Sequence, residues 1–191
     1  MSIDFLISYF NNYLPLNEEE QEAVRNSFSL KKVRRRQYIL QEGDICKVNT
    51  FIVSGCFRMF MVDNDGKEHN LQFAIENWWI LDIESFYSEK PSKLYIEALE
   101  DSVVLQLKKE DQLNLFEFPK FNRVFRVFIE NAVVSYQRRI LQNISSTAEE
   151  RYIDFMERYP SIFNRISNVQ IASYLGITPE FLSIVRKRIS S

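Results

Sequence analysis

The sequence predicts an α+β protein: an antiparallel β-roll of jelly-roll type, then one long helix, then a carboxy-terminal helix-turn-helix. Three observations carry that expectation. Short β-branched and aromatic runs alternate with turn signals between Lys31 and Lys108. From Pro119 to about Asn143 the chain has no internal Gly or Pro and is apolar on more than one face. Near the end, Ser167, Gly176 and Thr178-Pro179 punctuate two short amphipathic segments.

The opening stretch MSIDFLISYFNNYLP has no basic start or small-residue cleavage site and carries Asp4 inside its apolar run, so no secretion signal is expected. There is also no run of about 18 apolar residues to span a membrane. A cytoplasmic, non-membrane protein is expected, in which Cys46 and Cys56 stay reduced and act as small buried hydrophobes. Asn17 and Glu20 have the spacing of a capping box ahead of a helix to about Phe28. From Lys31 the period changes: VRRRQYIL, NTFIVSG, CFRMFMVD, HNLQFAI, KLYIEAL and SVVLQLK read as strands. Glu42-Gly43-Asp44, Ser54-Gly55 and Asp63-Asn64-Asp65-Gly66 read as turns between them. Asp65-Gly66 is the strongest hairpin signal in the chain, and strands at this spacing imply an antiparallel barrel or jelly roll.

A short helical patch after Lys109 leads to Pro119, a good first helical residue. A helix that is apolar nearly all round must be covered on several sides, and one roll covers only one of them. The rest predicts a two-fold dimer along this helix through Phe125, Phe128, Ile129, Ala132, Val133, Tyr136 and Ile140. A central core helix is the alternative. Ser145-Ser146-Thr147 opens a further helix, Ala148 to about Tyr159. The expected division is 1–118 for the roll, 119–145 for the dimerisation helix and 146–191 for the helix-turn-helix domain.

The formal charge of −2 conceals an asymmetry. Residues 1–118 carry 13 Lys+Arg against 20 Asp+Glu, and residues 119–191 carry 11 against 6. A surface that attracts a polyanion therefore belongs to the last third. The inventory argues against an enzyme. Four separated glycines make no phosphate-cradling loop, one histidine (His69) and two cysteines cannot build a multi-ligand metal or iron–sulfur site, and no G-x-S-x-G elbow occurs. No cofactor is expected.

Ser167 and Gln170 again have capping-box spacing. Ile171, Ala172 and Leu175 form an inner face, Gly176 gives the turn its freedom, and Thr178 caps a second helix with Pro179 at its first position. Leu182 and Val185 then point inward. In a helix-turn-helix the second helix enters the major groove of DNA. The predicted contacts are Ser167 and Thr178 near phosphates, Gln170, Glu180 and Ser183 at bases or backbone, and Arg186, Lys187 and Arg188 on phosphates. Between Ser161 and Ser191 the only acid is Glu180, against Arg165, Arg186, Lys187 and Arg188.

With QEGD, FIVSGCFRMF, DGKEHNLQF, AEERYIDFMERYP and QIASYLGITPEFLS in that order, the chain resembles the Crp/Fnr family of bacterial transcription regulators over nearly its full length. The resemblance implies a cyclic-nucleotide-binding-like roll and a homodimer on a near-palindromic double-stranded DNA operator, with RNA polymerase as a further partner. The nucleotide cassette departs from the family pattern. Asp82 stands at the ribose-binding position, Leu81 and Glu84 replace glycines, and Ser92-Lys93 replace the Arg-Ser pair. From Glu76 to Ser102 there is no arginine or glycine. Cyclic AMP held in the usual mode is therefore not expected. The candidate effector residues are Trp79, Asp82, Ser92 and Lys93, and an aromatic effector would draw on Trp78, Trp79, Phe86, Tyr87 and Tyr95. In the reading helix Pro179 and Ile184 stand where arginines are common, so a different operator is expected, and no wing hairpin is evident. The rival reading is a ligand-sensing or protein-interaction module of the same fold without DNA binding.

Overall fold

The computed structural model describes residues 2–189. Its elements run α1 (Ser2–Asn11), α2 (Glu18–Ser27), β1 (Phe28–Val33), β2 (Tyr38–Leu40), β3 (Val48–Ser54), β4 (Phe57–Val62), β5 (Glu68–Ala74), β6 (Trp79–Ile80), α3 (Ile83–Ser88), β7 (Tyr95–Ala98), β8 (Ser102–Lys108), α4 (Lys109–Leu115), α5 (Pro119–Ser145), α6 (Ala148–Arg158), α7 (Asn168–Leu175) and α8 (Pro179–Ile189). Two antiparallel four-stranded sheets, β1-β8-β3-β6 and β2-β7-β4-β5, face each other. The expected roll is thus present. Ile52, Phe57, Met59, Ile80, Phe86, Ile96 and Val104 fill its interior.

One local feature differs from the sequence expectation, the segment VRRRQYIL, and two were not anticipated by it. The opening stretch forms α1, because Ile3, Leu6, Ile7 and Phe10 recur at helical spacing and seat Leu6 and Phe10 in a core against Phe28, Phe51 and Phe121. VRRRQYIL is not one strand. Val33 ends β1, Arg36 takes a left-handed φ of 66° while its N–H bonds the Ala98 carbonyl, and β2 starts in the other sheet. Three consecutive arginines have no buried face to occupy, so they form the corner where the chain changes sheets. The short strand β6 and the helix α3 carry too few residues to show a period.

The Asp65-Gly66 hairpin joins β4 to β5 as expected, with Asp63 N–H and Lys67 C=O closing the turn at 3.0 Å. Its ladder slips by one residue: Met59 faces Gln72 and Phe60 faces Asn70, so Leu71 is an extra residue in β5. Gly55 ends the β3 turn at φ +115°, and an added Cβ there would run into Ser102, with its Cα 2.9 Å away. Gly55 N–H is held by the Glu76 carboxylate at 2.7 Å.

The long helix α5 spans 27 residues. Phe121, Val124 and Phe125 are buried in the core beneath α1, and Phe128 packs beside them. Farther along, Ile129, Val133, Val134, Tyr136, Ile140, Leu141 and Ile144 are exposed. Of the residues expected at a dimer contact, Phe125 is therefore enclosed in the chain's own core and Phe128 and Ala132 are half-buried, while the other four are open. A second core, built by α6, α7 and α8 around Phe155, Ile162, Ile171, Leu175, Leu182 and Val185, is continuous with Cys56 and Phe73 of the roll. Both cysteines are buried free thiols, and burial pushes Cys56 up to about 12. No helix is long and apolar enough to cross a membrane among the described residues.

Gly55→Ala is expected to cost about 3 kcal/mol, combining left-handed strain with overpacking against Ser102. Gly66→Ala, at φ +80° but in open space, should cost about 1 kcal/mol. Urea unfolding of the two variants checks this, and equal losses would remove the close approach of Ser102 as the constraint.

Candidate nucleic-acid interface

The two helices α7 and α8 are built by local chemistry. Ser167 Oγ accepts from Gln170 N–H at 3.2 Å, and Gln170 Oε1 accepts from Ser167 N–H at 2.9 Å, completing the capping box. Gly176 takes the left-handed conformation at φ 68° and lets its N–H close α7 on the Ala172 and Ser173 carbonyls. Thr178 Oγ1 accepts from Phe181 N–H at 3.2 Å and caps α8. Leu182 and Val185 anchor α8 inward, leaving Glu180, Phe181, Ser183, Ile184, Lys187 and Arg188 exposed.

The predicted contact residues fall into two groups. Gln170 Oε1 is engaged in its cap, and Ser183 Oγ donates to the Pro179 carbonyl at 3.1 Å. Glu180 is held below the usual carboxylate range by its own backbone N–H and by the Thr178 hydroxyl. On the other side, Arg186 donates to Asn168 Oδ1 at 2.9 Å and lies 5.0 Å over the Phe163 ring, while Arg188 donates to Glu149 at 2.7 Å. These are surface contacts, which water and salt weaken. Lys187 stands between the two in sequence, also exposed.

The helices are seated on the roll. Ser173 Oγ donates to the Glu68 carbonyl at 2.8 Å and accepts from Asn70 N–H at 3.0 Å, and Asn70 Nδ2 donates to the Gln170 carbonyl at 3.3 Å. Arg139 of α5 donates to the carbonyls of Leu71, Asn70 and Tyr174, and stacks 4.0 Å over the Tyr174 ring. Arg165, just before α7, forks onto Glu76 at 2.8 and 3.0 Å and also binds Glu100. Burial works against ionisation of Glu76, yet Arg165 and the Gly55 N–H hold its carboxyl below the usual range.

The cassette positions form a closed set. Asp82 caps α3 by accepting from Ser85 N–H at 3.2 Å, and it accepts from Ser92 Oγ at 2.6 Å. Ser85 Oγ in turn donates to the Lys90 carbonyl. Asp82 and Ser92 are buried, whereas Lys93 is exposed. Trp79 is not with them: it packs against Phe10, Phe51 and Phe128 on the outer side of its sheet. The four candidate effector residues therefore do not converge. Phe86 is in the roll interior, and Tyr95 stacks on Phe60 at 5.1 Å on the far sheet.

Residues 30–117 match the family of cyclic nucleotide-binding domains. No curated protein matches the chain by sequence. Among solved structures, FixK2 from Bradyrhizobium japonicum superposes with a TM-score of 0.73 at 19% identity, covering 85% of this chain and 84% of that one. A putative transcriptional regulator of the Crp/Fnr family from Eubacterium rectale gives 0.72 at 17% identity, over 96% and 88% of the two chains. The chain has the Crp/Fnr fold. The global regulator CLP of Xanthomonas campestris, responsive to c-di-GMP, is similar at 0.72 with 13% identity over 91% and 92%.

Within this Crp/Fnr fold, Arg165 and Arg139 were not legible as site residues. Arg165 counts toward the basic balance of the last third, but its charge is directed back to acids 65 and 89 positions away in the roll. Arg165→Ala is expected to lower thermal stability, with the loss largest at neutral pH. Because the folded carboxyl of Glu76 is depressed, its contribution is present above the ordinary glutamate range, about 4.3, and is lost as pH falls through the lower folded value. Thermal melts of wild type and Arg165→Ala should therefore converge as the pH is lowered below 4. A gap unchanged by pH would exclude a charge clamp.

Proposed function

We propose that the chain is a sequence-specific DNA-binding transcription regulator that acts as a homodimer on a near-palindromic operator, without control by cyclic AMP in the usual mode. The observation that carries it is α8: a capped helix, anchored by Leu182 and Val185, whose outward end presents Arg186, Lys187 and Arg188, Arg186 and Arg188 bonding surface groups on Asn168 and Glu149. Helix macrodipole and backbone N–H groups near Ser167 and Thr178 add to the attraction for phosphate.

A second copy is the reading that best fits α5. Ile129, Val133, Tyr136 and Ile140 form a strip of coiled-coil spacing, flanked by Val134, Leu141 and Ile144. Such a strip exposes a contiguous apolar surface that water disfavours. Two copies packed along it would carry two copies of α8, which is the arrangement a palindrome requires. The mutual bonding of Asp82, Ser85 and Ser92 supports independence from cyclic AMP, since this stretch offers a phosphate no arginine. One observation favours the rival reading, a protein-interaction module: Phe181 and Ile184 are exposed on the same face of α8.

Selection from random DNA separates the two, because enrichment of a palindrome fits only the first. On the selected sequence, affinity should fall steeply with salt, and replacing Arg186 and Lys187 together with Ala should lower it at least about tenfold and reduce the log–log salt slope by about 2. Affinity unmoved by salt or by the double replacement would exclude the reading. Separately, Val133→Glu with Ile140→Glu should sediment as a folded monomer and lose operator binding.

A further inference from the structure

The outward face of α8 is built around an aliphatic side chain. Leu182 and Val185 point into the core shared with α6 and α7, so the opposite side of the helix carries Glu180, Ile184 and Lys187, which recur at helical spacing. Phe181 lies one turn before Ile184, and Arg188 one turn after it. Ile184 is 48% exposed and Phe181 39%, and neither belongs to the core that seats Leu182 and Val185. The side chain in the middle of this face therefore offers no hydrogen bond, although both ends are charged.

In a helix-turn-helix the second helix lies in the major groove, where the base edges are almost entirely polar. Guanine shows N7 and O6, cytosine its N4 amino group, adenine N7 and the N6 amino group. Each of these loses water when an aliphatic group covers it. A branched alkyl chain returns no hydrogen bond in exchange, so these three edges are disfavoured opposite Ile184. Thymine alone adds a C5-methyl group, and burying that methyl against another alkyl group is favourable. Charge selects DNA over an apolar protein surface as the occupant of this face. Arg186, Lys187 and Arg188 all follow Ile184 within four residues, and Glu180 is the only acid in α8.

We propose that Ile184, supported by Phe181, is a specificity-determining residue that reads the C5-methyl group of a thymine in each operator half-site. The inference rests on the DNA-binding reading above and goes beyond it by naming the base feature that the centre of α8 selects.

The full chain is first used to select its operator from random DNA. Each thymine of the selected half-site, on either strand, is then replaced in both halves by deoxyuridine, which keeps every hydrogen-bonding group and lacks only the methyl. One position is expected to lose affinity about fourfold per half-site. The same replacement should leave the affinity of Ile184→Ala unchanged, because that variant has already lost the contact. A second measurement needs only the wild-type chain: cytosine at that position should weaken binding, and 5-methylcytosine should recover part of the loss. Absence of any thymine sensitive to deoxyuridine, an equal loss in wild type and Ile184→Ala, or no recovery with 5-methylcytosine would each overturn the inference while DNA binding stands. Failure to enrich any palindrome would overturn both readings, and would leave Phe181 and Ile184 to a protein partner.

Discussion

The guanidinium of Arg139 joins three parts of the molecule at once. It projects from α5, reaches the carbonyls of Asn70 and Leu71 in the roll and that of Tyr174 in α7, and sits 4.0 Å over the Tyr174 ring. A planar fork with five donors suits this task, and the point charge of a lysine does not. Without it the backbone acceptors of β5 would face the underside of a helix with no donor, a costly arrangement in a half-buried seam. The position of α7, and through the shared core that of α8, follows from this contact together with the Ser173–Asn70 pair.

Two kinds of positive charge are consequently present in the last third of the chain. Arg139 and Arg165 are fixed to the roll by several strong hydrogen bonds and hold the architecture together. Arg186 and Arg188 make one hydrogen bond each at the surface, Arg186 also lying over the Phe163 ring, where water and salt compete on nearly equal terms. A sequence count of basic residues treats the four alike, whereas geometry separates the two fixed to the roll from the two at the surface.

That distinction marks how far the sequence can be read. Features determined within four residues were legible: the Asn17–Glu20 and Ser167–Gln170 capping boxes, the Thr178 cap, the Asp65-Gly66 turn and the glycine bend at Gly176 all form as their spacing implies. The long helix was legible from its length and lack of breakers. Features that depend on partners far along the chain were not. The corner at Arg36 is set by the Ala98 carbonyl, and Asp82 is buried where it caps α3 and accepts from Ser92. The aromatic residues near position 80 were visible as a group, but only packing distributes them: Phe86 inside the roll, Tyr95 on one sheet, Trp78 and Trp79 on the wall of a cavity.

The additional residue in β5 has a consequence for how the protein tolerates change. In a regular strand, successive carbonyls point to opposite sides; the irregularity at Leu71 lets Asn70 and Leu71 present theirs to one guanidinium. Shortening the strand by that residue would straighten the ladder and leave a more orderly hairpin. The same deletion would rotate the preceding side chains, Asn70 among them, away from α7. Local regularity and the attachment of a distant segment are thus in opposition at this position, and the native chain keeps the kink.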